Sequence, residues 1–162
     1  MKTNSTIKEK ALNPEEHGVR SPIPNTIEQS ETTSDKLDER ILTALAAASD
    51  KKALEIVILD LREIAAFTDY FLITSGANER QVQAISDEVL DKLKKAGSPA
   101  ARIEGYRTAE WILMDYGDFI VHIFADQARK FYDLERLWRE ARQVELPARF
   151  ANESISSLRK ES

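Results

Sequence analysis

The stretch Trp111 to Phe124, WILMDYGDFIVHIF, reads as two β-strands joined by a tight turn at Tyr116-Gly117. Glycine reaches positive φ without the steric penalty of a Cβ, so a glycine between two apolar runs marks a hairpin. Two carboxylates, Asp115 and Asp118, sit at the mouth of the turn. Alternation along the first strand puts Trp111, Leu113 and Asp115 on one face and Ile112 and Met114 on the other. In the second strand Phe119, Val121 and Ile123 oppose Ile120, His122 and Phe124. Both faces are largely apolar, so each needs cover. Trp111 is then either part of the core or an aromatic surface beside acidic groups, and spacing alone leaves both readings open.

The flanking segments supply that cover. Upstream, Ala53 to Arg62 (ALEIVILDLR) and Tyr70 to Thr74 (YFLIT) are apolar, β-branched runs of the kind found in central strands. After Ser75-Gly76, Asn78 is positioned to cap a long helix, with Gln81 at the capping-box position. Val82, Ile85, Val89, Leu90 and Leu93 form its buried stripe, and Gly97 followed by Pro99 ends it. An earlier helix starts near Ser34 and turns Leu37, Ile41, Leu42 and Leu45 to one side. Ala101 to Gly105 is a short strand that brings Glu104 and Gly105 to a loop before the hairpin. Beyond the hairpin, a final helix capped by Asp126 faces Phe131, Leu134 and Trp138 inward, with Tyr132 and Glu135 on an adjacent strip. The order α, β, β, α, β, β, β, α predicts a single α/β (mixed α+β) domain whose mixed sheet of about five strands is flanked by helices. That domain spans 34–142. Residues 1–33, polar and holding Pro14, Pro22 and Pro24, are expected to be a disordered arm, and 143–162 a C-terminal tail.

Composition narrows the function. The 162 residues carry no cysteine, which excludes disulfides, thiolate metal sites and thiol catalysis. A formal net charge of −5 argues against a nucleic-acid sleeve and suits a basic partner. No apolar run reaches the ~18 residues of a membrane-spanning helix, and no signal-peptide core or transit-peptide pattern opens the chain, so a cytoplasmic protein is expected.

The search for chemistry yields little. Asp115 and Asp118 offer oxygen ligands to a divalent ion. A metal-dependent nucleotidyltransferase, however, needs a Gly-Ser or Gly-Gly turn followed closely by two acids one residue apart on a strand. Here Gly76 is followed by Ala77, and the acids come far later with two residues between them. The turn at Gly76 leads into a helix N-terminus, which attracts anions, but neither a G-x-G-x-x-G run nor a Walker lysine accompanies it. His122 has neither a second histidine nor a serine-nucleophile signature beside it, which fits a sheet histidine with a hydrogen-bond partner. Arg129, Tyr132, Glu135 and Trp138 follow one another at three-residue steps, either as a surface ion pair beside core aromatics or as a recognition strip. No catalytic residue, cofactor or metal is expected.

Several motifs coincide. DYFLITSG from Asp69, Arg80-Gln81-Val82 with Ala84-Ile85, Glu104-Gly105, WILMDYGD from Trp111, VHIF from Val121, and Arg129 with FYDLERLW from Phe131 stand in one order. Together they closely resemble the ribosomal silencing factor family, also called Iojap-related proteins, over residues 36–138. The resemblance implies a nucleotidyltransferase-like shape without the active site, and no bond made or broken. It implies binding to the large ribosomal subunit through its ribosomal protein fourteen, so that the small subunit is sterically kept from joining. Carried onto this chain, it makes Trp111 and Leu113 apolar anchors. Asp115, Tyr116 and Asp118 become contacts of the turn with basic groups, and Tyr132 and Glu135 their neighbours. Glu104, Gly105, Gly117, His122, Arg129 and Trp138 become structural supports. After Phe124 the chain runs Ala125-Asp126-Gln127, where many relatives carry a second histidine, so no role rests on a histidine pair. A homodimer of the free protein and a large-subunit assembly role without silencing are compatible with the same residues.

Overall fold

The computed structural model describes residues 37–151. The hairpin forms where its sequence indicates, as β4 (Trp111–Asp115) and β5 (Phe119–Ala125). Gly117 takes φ +86°, and the Tyr116 N–H donates to the Phe119 carbonyl at 3.0 Å. β5 runs parallel to β2 (Tyr70–Gly76), which pairs antiparallel with β1 (Leu54–Asp60). The short strands β3 (Arg102–Glu104) and β6 (Arg142–Val144) close the two edges, giving the order β3-β4-β5-β2-β1-β6. Six strands therefore stand where about five were expected. β6 is three residues long with one buried apolar side chain, Val144, too short to show alternation. Together with the buried Phe150 it carries the fold into residues assigned by sequence to the tail.

Each face of the sheet is covered, following the alternation of the hairpin. Ile112, Met114, Phe119, Val121 and Ile123 join Ile58 and Leu72 under two helices, α1 (Glu39–Asp50) and α2 (Glu79–Lys95). Asp38 caps α1 by accepting from the Arg40 N–H at 2.8 Å; the expected cap, Ser34, and the arm at 1–33 lie outside the described residues. Asn78 caps α2, its Oδ1 accepting from the Gln81 N–H at 2.9 Å. Gln81 returns the bond one residue earlier than a standard capping box, accepting from Ala77 N–H at 2.7 Å, and its amide also donates to the Lys51 and Lys52 carbonyls. One side chain thus ties the α2 start to the turn after α1. Among the described residues, no helix is long and apolar enough to cross a membrane.

The opposite face gathers Phe71, Ile73, Trp111, Leu113, Ile120 and Phe124 beneath α3 (Asp126–Tyr132), α4 (Leu134–Leu137) and the loop after β1. Sequence periodicity implies one final helix here; the chain instead breaks at Asp133, whose φ of +46° is left-handed. Asp tolerates that conformation better than most residues. Asp126 is the first residue of α3 rather than its cap, which is Ala125. Phe131 does not face inward either: it is 81% exposed. The inward position on α3 belongs to Arg129, which reaches polar groups that the apolar pattern does not reveal.

Gly105 fixes the approach to the hairpin. Its φ is +79°, and a Cβ there would lie 2.0 Å from the Trp111 carbonyl oxygen. Gly105→Ala is expected to lower stability by about 2 kcal/mol or more, combining a left-handed backbone with a clash against main chain. Urea unfolding of the two proteins measures it, and a loss below ~0.5 kcal/mol would mean that the loop repacks freely.

Candidate docking site around the Trp111 hairpin

The turn is held from three sides. Asp115 Oδ1 accepts from the Gly117 N–H at 2.9 Å, and Thr68 Oγ1 donates to the Gly117 carbonyl at 3.0 Å. The Asp118 carbonyl accepts from the N–H groups of Asp69 and Tyr70. The Asp118 side chain is left standing outward, 69% exposed. Arg40 of α1 reaches it at 2.7 Å, grips Asp38 at 2.9 Å and lies 5.4 Å from the Phe119 ring centroid. An exposed ion pair contributes no more than about 1 kcal/mol, so a basic partner can replace Arg40 at little cost.

Burial decides between the two readings of Trp111. It is 7% exposed, with its ring 4.8 Å from Tyr132 and 4.9 Å from Phe124. Its Nε1–H donates to His122 Nδ1 at 3.0 Å. Leu113 is buried beside it, and Tyr116 is buried on the other face, stacked on Phe119 at 4.9 Å. Burial pushes the Tyr116 hydroxyl up to about 12. Expected as contact residues, Trp111, Leu113 and Tyr116 are therefore core in this structure, because helices and Tyr132 cover both faces of the hairpin. The residues that remain accessible are Asp118, the half-buried Tyr132 and the partly exposed Glu135. Asp115 is half-buried and already shapes the turn.

Of the residues expected as supports, Arg129, Trp138 and His122 are buried. Buried Arg129 donates to Glu135 Oε1 at 3.0 Å, to Ser75 Oγ at 3.2 Å and to the Leu54 carbonyl at 3.3 Å. That carbonyl is displaced by an irregularity in β1 between Leu54 and Val57, where Glu55 has φ +46°. Thr74 Oγ1 donates to it as well, at 2.7 Å. Arg129 thus bolts α3 to β1 and β2 and orients Glu135. Trp138, buried, packs edge-on against Phe71 with ring centroids 5.7 Å apart. His122 is fully enclosed, and desolvation drops it to about 3, so it is a neutral acceptor for Trp111 at physiological pH.

At the start of α2 the Ala77 and Gln81 N–H groups are already bound by side chains, which removes two donors that an anion needs. Among the described residues no group of three or more His, Cys, Asp or Glu is arranged to hold a metal.

The family described as "ribosomal silencing factor during starvation" matches residues 34–162. The chain belongs to the ribosomal silencing factor family. The family's protein from Halalkalibacterium halodurans is 43% identical over 108 residues, covering 67% of this chain and 92% of its own. The Bacillus subtilis member is 42% identical over 103 residues, covering 64% and 87%. The chloroplastic Iojap protein of maize is 38% identical over 101 residues, 62% of this chain but 44% of its own length. A crystal structure of a Bacillus halodurans protein, 42% identical, superposes with a TM-score of 0.61 over 67% of this chain and 98% of that one. Another, from Chromobacterium violaceum, is 33% identical with the same TM-score over 68% and 88%. In this ribosomal silencing factor domain two site features escape sequence reasoning. Arg40 is 78 positions from Asp118, and no local pattern signals such a pair. The exposure of Phe131 follows from Arg129 claiming the inward face of α3.

Proposed function

We propose that this protein binds the large ribosomal subunit through its ribosomal protein fourteen and, by standing on the joining face, keeps the small subunit from associating. The reading rests on family membership together with one structural observation: a rigid turn presents Asp118 outward on an acidic chain, while Tyr132 and Glu135 lie toward the other end of the hairpin, over Trp111 and Arg129. A basic protein surface is the complement of that turn. Trp111 and Leu113 act from beneath, fixing the hairpin and seating Tyr132. The mechanism is occupancy in the cytoplasm, with no bond made or broken. A free-state homodimer through the same face would compete with the ribosome.

Sedimentation with separated subunits tests the reading. The expected result is recovery with the large subunit and fewer joined particles when the small subunit is added. Asp118→Lys should weaken large-subunit binding by about tenfold or more, equivalent to about 1.4 kcal/mol, while leaving unfolding nearly unchanged. Unaltered affinity would remove the turn from the interface. One relative favours a second reading: the mouse "mitochondrial assembly of ribosomal large subunit protein 1" is 29% identical over 106 residues. Binding without any loss of subunit joining would select an assembly role instead.

A further inference from the structure

Beside the hairpin, on the face of Trp111 and Leu113, β3 brings three charged side chains together. The register pairs Arg102 with Asp115 and Glu104 with Leu113, so Glu104, Arg102 and Asp115 share that face. The Glu104 side chain is 9% exposed. Its Oε1 lies 3.4 Å from Arg102 Nε, and its Oε2 is buried with no hydrogen-bond donor. Arg102 is held no better: its Nη2 is 4.0 Å from Asp115 Oδ2, and both Nε and Nη2 are buried without a hydrogen bond. A guanidinium that truly serves two carboxylates makes paired bonds of about 2.7–2.9 Å. A buried carboxylate oxygen left without a donor is a cost that folded proteins usually remove. Glu104 therefore does not behave as a satisfied support of the loop. Arg102 occupies the space between the acids loosely, and its side chain is 34% exposed, so it has an open path to solvent.

We infer that Glu104 is a specificity-determining residue of the docking surface, receiving together with Asp115 an arginine side chain of the basic partner. Arg102 is a placeholder that swings outward when that arginine arrives. A guanidinium is the group of choice because its planar fork spans two carboxylates, whereas an ammonium is a point charge. The inference rests on the proposed ribosome-binding reading and adds to it a residue and the chemistry that residue selects.

The test measures affinity of the full chain for purified large subunits at several salt concentrations. Glu104→Gln should bind about tenfold more weakly, with a shallower salt dependence, while its thermal midpoint stays near that of the parent. Arg102→Met, which removes the internal competitor, should bind as tightly as the parent or up to several-fold tighter. Parent-like affinity of Glu104→Gln overturns the inference. So does weakening by Arg102→Met, which would mean that Arg102 itself braces β3 or meets an anion such as an RNA phosphate. If Glu104→Gln fails to fold, Arg102→Met alone decides between these outcomes. If the parent protein does not bind large subunits, the underlying reading fails; if it binds and Glu104→Gln is unaffected, this inference alone fails.

Discussion

Trp111→Ala is expected to lower the stability of the domain by about 3–5 kcal/mol, the range for truncating a large buried aromatic. The cost has two parts. Removing the ring empties the space between Tyr132 and Phe124, whose centroids lie 4.8 and 4.9 Å from it. It also withdraws the donor that satisfies His122 Nδ1 at 3.0 Å in a fully enclosed site. Trp111→Phe separates the two: the ring largely remains, and the lost hydrogen bond costs about 1–3 kcal/mol. Urea unfolding followed by circular dichroism gives both numbers, and a loss under ~1 kcal/mol for the alanine variant would show that the ring is not core. Large-subunit binding by the folded phenylalanine variant then separates support from contact. Affinity close to the parent's means that Trp111 works by holding the hairpin, whereas a large loss would require the indole itself to meet the partner.

The hairpin was legible because its signal is local. Alternation from Trp111 to Phe124 assigns every side chain to the face it occupies, and Gly117 takes the positive φ that the turn requires. Cover is a different matter. Whether the Trp111 face meets solvent depends on Tyr132, 21 positions away, and on a helix broken at Asp133 by a left-handed residue that hydrophobic spacing does not register. The same limit hid β6, where Val144 offers one buried side chain, and the inward turn of Arg129, whose partners are Ser75 and a carbonyl displaced by the irregularity in β1. Acidic residues were found but their commitments were not. Asp115 is engaged by a neighbour two residues away, while Asp118 is engaged by Arg40 from the far end of the domain. Spacing places the strands of the hairpin, but it does not show that Leu113 and Tyr116, expected as contacts, are buried within it.

His122 gives the domain an acid sensitivity that a mutation can isolate. Enclosure lowers its proton affinity from an ordinary 6.5 to about 3, chiefly through desolvation and against the pull of Asp115. The unfolded chain takes up a proton at this position below pH 6.5, and the folded chain refuses it until about pH 3. Between those values the unfolded state binds more protons, so stability is full above pH 6.5 and falls as the pH falls, with a slope approaching about 1.4 kcal/mol per pH unit. Asp60, held down to about 2 by Arg62 and Arg142 against the opposing effect of its burial, acts in the same direction but only below its ordinary 3.8. The interval from pH 6.5 to about 4.5 therefore reports mainly on His122. His122→Gln keeps an acceptor for the Trp111 N–H and removes the titration. Its unfolding free energy should be nearly flat across that interval where the parent's declines. Equal slopes in the two proteins would mean that the folded state admits the proton, either through an opening between α3 and the sheet or through a second acceptor beside the ring. The imidazole that stabilises the Trp111 hairpin at neutral pH is thus the group expected to loosen it first in acid.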